Sequence, residues 1–133
     1  MDDYTTGNGP QQIDLTVDVD TIGMAATRAH VAKTGPGNPQ TPVAQSNDVT
    51  GDIAKKDIGS AANLQGQSLY VSTLIDLRTI LNQPDREREF ARLSSTYILD
   101  NGTDGHQVYA PDDKVKNADC TTIILFKQVN LNS

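Results

Sequence analysis

Ile13-Asp14-Leu15-Thr16-Val17-Asp18-Val19-Asp20 alternates apolar and polar residues without a break. A period of two sends successive side chains to opposite faces of a strand, whereas a helix would scatter these aspartates around its circumference. The stretch is therefore a strand with Ile13, Leu15, Val17 and Val19 on a buried face. Asp14, Asp18 and Asp20 line the other face with Thr16.

The pattern recurs downstream. In residues 68–81 (SLYVSTLIDLRTIL), Leu69, Val71, Thr73, Ile75 and Leu77 share one face, and Tyr70, Ser72, Leu74, Asp76 and Arg78 the other. Alternation through Ala91, Leu93, Ser95, Tyr97 and Leu99 predicts one long strand over 89–99. Residues 121–131 (TTIILFKQVNL) have an apolar centre with no polar face, as in a strand covered on both sides or one at an interface. Residues 21–33 read as a strand that continues through Ile22, Met24 and Ala26 after a bend at Gly23, although the composition of 25–32 would also suit a helix. Asn101-Gly102 and Asp104-Gly105 are hairpin turn signals, with a returning strand at 107–110 that Pro111 stops.

Between these runs the chain is polar. Three prolines and two glycines within 34–42 predict an exposed loop. Residues 43–62 offer at most a short strand near 48–53, Asn82-Gln83-Pro84-Asp85 reads as a turn, and 112–119 as a charged loop. Residues 1–12 carry no apolar period and read as a flexible leader, which leaves 13–133 as a single domain. The expected fold is all-β: an antiparallel sandwich or jelly roll of six to eight strands, with long polar loops and little helix.

Composition narrows function mainly by exclusion. The 133 residues hold 17 acids and 11 bases, a formal charge of −6. Phosphate backbones and anionic lipid both select basic surfaces, so neither nucleic acid nor membrane is an expected partner. The acidic start, Met1-Asp2-Asp3-Tyr4, is unlike the basic and then apolar opening of a signal peptide. With the lone Cys120, it gives a cytoplasmic expectation.

Candidate chemistry is sparse. Asp100, Asp104 and, beyond the hairpin, Asp112 offer hard oxygen ligands for a loosely held calcium ion. The segment departs from a calcium-binding loop at Gly102 and Pro111, and a plain hairpin turn explains the same residues with fewer assumptions. No other cofactor is expected. The loops 34–48, 100–106 and 111–119 could form a calcium- or carbohydrate-binding end, with Tyr109 nearby but no tryptophan for a sugar platform. A hydrolase would have to use His106 with Asp104 or Asp112. Cys120 follows Asp119, which opposes thiolate formation, and no nucleophile or phosphate-binding motif occurs.

If the strand pattern is extended back over 85–92, Arg86, Arg88 and Arg92 fall on one side, as cross-strand partners for the Asp14 face, the more ordinary reading, or as a subunit contact. Ile124 and Phe126 mark the all-apolar strand as a second contact. Over residues 13–22 the chain resembles the first strand of bacterial inclusion-body sandwich proteins; the remainder does not follow that pattern. The leading expectation is a non-enzymatic structural or interaction protein that associates with itself as a homo-oligomer, or joins a larger assembly. The alternative is the loop-based binding module.

Overall fold

A computed structural model describes residues 2–133; Met1 lies outside the described residues. Among them ten strands and two helices occur: β1 (Asp2–Thr5), β2 (Gln12–Asp20), β3 (Met24–Lys33), β4 (Thr41–Gln45), β5 (Ile53–Ser60), α1 (Ala61–Leu64), β6 (Gln67–Asp76), α2 (Gln83–Arg92), β7 (Ser94–Gly102), β8 (Gly105–Tyr109), β9 (Asp113–Lys116) and β10 (Thr122–Asn132). They form an all-β sandwich. One sheet has the order β1-β10-β6-β3-β4, with β9 also paired to β10; the other has the order β5-β2-β7-β8.

The alternation in β2 works as its pattern requires. Ile13, Leu15 and Val17 are fully buried, and they meet Val71, Leu69, Ala29 and Val129 of the opposite sheet in the larger core cluster. A second cluster, of Ile75, Leu77, Leu93, Cys120, Ile123 and Leu125, lies under α2, with Phe90 packed against it. Branched aliphatic side chains fill both clusters, as a tryptophan-free composition demands.

Five expectations are corrected. Residues 2–5 are not part of a flexible leader: β1 pairs parallel with β10, placing Tyr4 beside Leu131, and Tyr4 and Thr6 are fully buried. Residues 41–42, expected in a loop, begin β4, an edge strand where Pro42 can forgo its missing N–H. The strand near 48–53 is instead a turn, in which the Asp48 carboxylate accepts from the Thr50 N–H and hydroxyl; strands flank it at 41–45 and 53–60. Part of the charged loop 112–119 is β9, antiparallel to β10.

The largest correction is at 89–99. The strand begins only at Ser94, and residues 83–92 are helical. Pro84 sits in the first turn, where its fixed φ favours a helix. Arg88 pairs with Asp85, and Arg92 with Glu89, each at helical spacing. The far end is closed from outside: the Lys114 ammonium donates to the Phe90 and Leu93 carbonyls at 2.6 and 3.0 Å, a cation at the negative end of the helix.

Candidate functional site

The feature with most reach is the outer face of the six-stranded sheet. Directly opposed residues in antiparallel ladders point the same way, so the registers define rows across the strands. Ala26 opposes Leu74, Leu74 opposes Ile124, and Ile124 opposes Val115. Leu74 is 51% exposed, Ile124 42% and Val115 53%, with Met24 at 49% one row away. Phe126, the next outward residue of β10, is half-buried; its ring centroid lies 6.3 Å from that of Tyr70. Ala26, Arg28, Ser72, Leu74 and Ile124 line a shallow depression of about 360 Å3 on this face.

The remaining sequence candidates are placed as follows. Ile124 and Phe126 lie together on the exposed face. The three arginines do not form a strand face, because they belong to α2. Arg86 donates to the Asp119 and Ile80 carbonyls at 2.9 and 2.8 Å and so binds the helix to its neighbouring loops. Arg88 pairs with Asp85 in solvent. Arg92 does answer the aspartate face, reaching Asp20 at 3.0 Å, but from a helix. Its other partner is Glu89, a 5% exposed carboxylate that also accepts from the Thr21 hydroxyl and the Ile22 N–H. Burial pushes the Glu89 carboxyl up, and Arg92, Ile22 and Thr21 more than offset it, so Glu89 ionises more readily than usual.

The three aspartates considered for calcium do not converge. Asp100 accepts from His106 Nδ1 at 2.6 Å, and Lys55 is 4.0 Å away. Asp104 accepts from the Thr5 N–H at 2.8 Å, and Asp112 from the Lys127 ammonium and the Gln128 N–H. Each carboxylate ties down a different strand. Among the described residues no group of three His, Cys, Asp or Glu side chains is arranged to hold a metal ion. Tyr109 is equally occupied: its hydroxyl donates to the Asp3 carbonyl, and Lys127 lies 5.3 Å from its ring centroid.

His106 pairs with Asp100 and not with Asp104 or Asp112. Cys120 is buried in the second core cluster, with its thiol pushed up by burial. A depression of about 550 Å3 between β4 and β5 has Asp52, Lys55 and Lys56 as its ionisable residues, and Asp52 already accepts from the Val19 N–H. No helix among the described residues is long and apolar enough to cross a membrane.

Comparison with protein-family models, curated proteins and solved structures gives no match. Sequence reading missed Leu74, Ala26, Met24 and Val115 as part of the apolar face. The signal for Leu74 was present, as an apolar residue on the outward side of its strand. That it meets Ile124 depends on strand register, which no local pattern contains.

The aspartate face carries its own strain. Asp14 opposes Asp57 on one side and Asp100 on the other, and Asn101 donates to it at 2.7 Å. Like charges directly opposed are destabilising by a few tenths to about 1 kcal/mol. Asp14→Asn keeps an oxygen for Asn101, so it is expected to raise stability by about 0.5 kcal/mol at low salt and by less at high salt. Urea midpoints at the two ionic strengths measure this.

Proposed function

We propose that this chain is a non-enzymatic structural or interaction protein that associates with itself through the outer face of its six-stranded sheet. What carries the reading is the row Ala26, Leu74, Ile124 and Val115, exposed and in register across four strands. Solvated sheet faces ordinarily carry polar residues, and a contiguous apolar row rimmed by polar groups is the usual mark of a contact surface. Asp100, Asp104 and Asp112, by contrast, are engaged in holding strands together. The face measures about 20 Å by 15 Å from strand spacing and rise, below the area of a standard stable interface, which makes it a weak, transient contact. A reversible dimer with a Kd in the micromolar range, on the order of 10–100 µM, is the matching expectation.

Sedimentation velocity across that concentration range tests the reading. The wild-type protein should move from monomer to dimer. Ile124→Lys and Leu74→Lys should each weaken association at least about tenfold, because each buries an unpaired charge in the contact. Both positions face solvent in the monomer, so thermal unfolding of the dilute protein should change little. A wild-type protein that stays monomeric throughout, or lysine variants that associate as well as wild type, would overturn the proposal.

A further inference from the structure

Beside the apolar row runs a second one. Arg28 opposes Ser72, Ser72 opposes Phe126, and Phe126 opposes Asp113. Arg28 on β3 and Asp113 on β9 thus stand on the same outer face, three strand spacings or about 14 Å apart. Both are exposed, and neither side chain has an ion-pair or hydrogen-bond partner among the described residues. Asp76, Asp85, Asp100, Asp112, Arg78, Arg88 and Arg92 all have partners, so Arg28 and Asp113 belong to a smaller group of charges left open to an outside partner. The two unpaired charges are of opposite sign and flank the exposed apolar side chains.

That arrangement is complementary to itself under one symmetry operation. A two-fold axis lying in the interface, parallel to the strands and midway between β6 and β10, reverses the strand order while keeping each row at its own level. It lays β3 of one copy over β9 of the other. We propose that a second copy of this chain docks on this face about that axis, pairing Arg28 with the partner's Asp113 at both rims. Leu74 then packs over the partner's Ile124 and Ala26 over the partner's Val115. An axis perpendicular to the strands would instead lay β3 over β3 and β9 over β9, leaving Arg28 and Asp113 without opposite charges. Isologous contacts of this kind are the commonest way for identical chains to pair, and aligned sheet stacking accommodates the residual twist.

This inference deepens the self-association reading and rests on it, and a charge-reversal cycle separates the two. Arg28→Asp places an aspartate opposite the partner's Asp113, and Asp113→Arg places an arginine opposite the partner's Arg28. Each single variant should weaken dimerisation roughly tenfold at low salt, while the double variant Arg28→Asp with Asp113→Arg should return to within about threefold of wild type. The effect should shrink as salt is raised. A wild-type dimer that is indifferent to both single reversals, or a double variant no better than the singles, overturns the two-fold arrangement while leaving self-association standing. A wild-type protein that never dimerises overturns both. Both side chains are exposed, so thermal unfolding of each variant serves as the control for folding.

Discussion

Replacing Tyr4 with alanine is expected to remove about 3–5 kcal/mol of stability, the range for truncating a large buried aromatic side chain. The residue sits on a four-residue strand beside the chain's beginning, where sequence alone suggests nothing worth keeping. In the fold it is fully buried within the main core cluster. Its hydroxyl donates to the Gly105 carbonyl at 2.6 Å and accepts from the Gly102 N–H at 2.8 Å, so it clasps both glycines of the β7–β8 hairpin. Gly102 is needed for this approach, because a Cβ there would lie 2.4 Å from the Tyr4 ring. The clasp is reinforced by backbone: the Asp104 N–H donates to the Thr5 carbonyl at 3.1 Å, and the Thr5 N–H donates to the Asp104 carboxylate.

Tyr4→Phe separates the two contributions. It keeps the ring but leaves the Gly102 N–H without its acceptor, at an expected cost of about 1–3 kcal/mol. At roughly 4 °C per kcal/mol for a domain of this size, alanine should lower Tm by more than about 10 °C and phenylalanine by about half that or less. Urea unfolding at neutral pH gives the free energies directly. A loss below about 1 kcal/mol for alanine would mean that β1 is a dispensable strap.

These residues show where the sequence was legible. β2, β6 and β10 could be read because each buries one apolar face for eight residues or more, long enough for a period of two to stand out. β1 buries a single large side chain in four residues, too few to display any period. The other misses share a different cause: an inverted polarity. In β9 the two lysines turn toward α2, Lys114 onto its terminal carbonyls and Lys116 onto Glu87 and the Phe90 ring, while Val115 faces solvent. Glu89 is the buried residue of α2. A rule that sends apolar residues inward reads such segments as loop or strand. The candidate site was half legible for a related reason. Ile124 and Phe126 announce themselves along one strand, but the neighbours that turn them into a surface come from β3, β6 and β9 through register.

The sharpest case of inverted polarity is Lys127, and its replacement is the second large effect expected. It lies on β10 between Leu125 and Val129, on the side that faces the core, and its side chain is 2% exposed. The ammonium reaches Asp112 at 3.0 Å and also pairs with Asp2, so one buried cation ties β10 both to β1 and to the turn before β9. Burial alone would push its pKa down; the two carboxylates outweigh that and hold it above the usual lysine value. Lys127→Ala removes the buried stem and the charge together, for an expected loss of about 3 kcal/mol. Lys127→Met keeps most of the volume. Its cost should be nearer 1–2 kcal/mol, because Asp2 and Asp112, at 48% and 32% exposed, can regain water once the cation is gone.

Acid should erase much of the difference between wild type and Lys127→Met. Burial raises the Asp112 carboxyl, but the Gln128 N–H and Lys127 lower it further, so it stays below the ordinary aspartate range in the folded protein. As pH falls, the unfolded chain takes up this proton first. The stabilisation is therefore present above the unfolded value, near pH 4, and is lost as pH drops through the lower folded value. Other carboxylates titrate in the same window, but they are common to both proteins and cancel in the comparison. Urea midpoints at about pH 7 and pH 3 should show the gap between wild type and the methionine variant narrowing. A gap that stays constant would place the contribution of Lys127 in its buried stem, with the two carboxylates adding nothing to the attachment of β1.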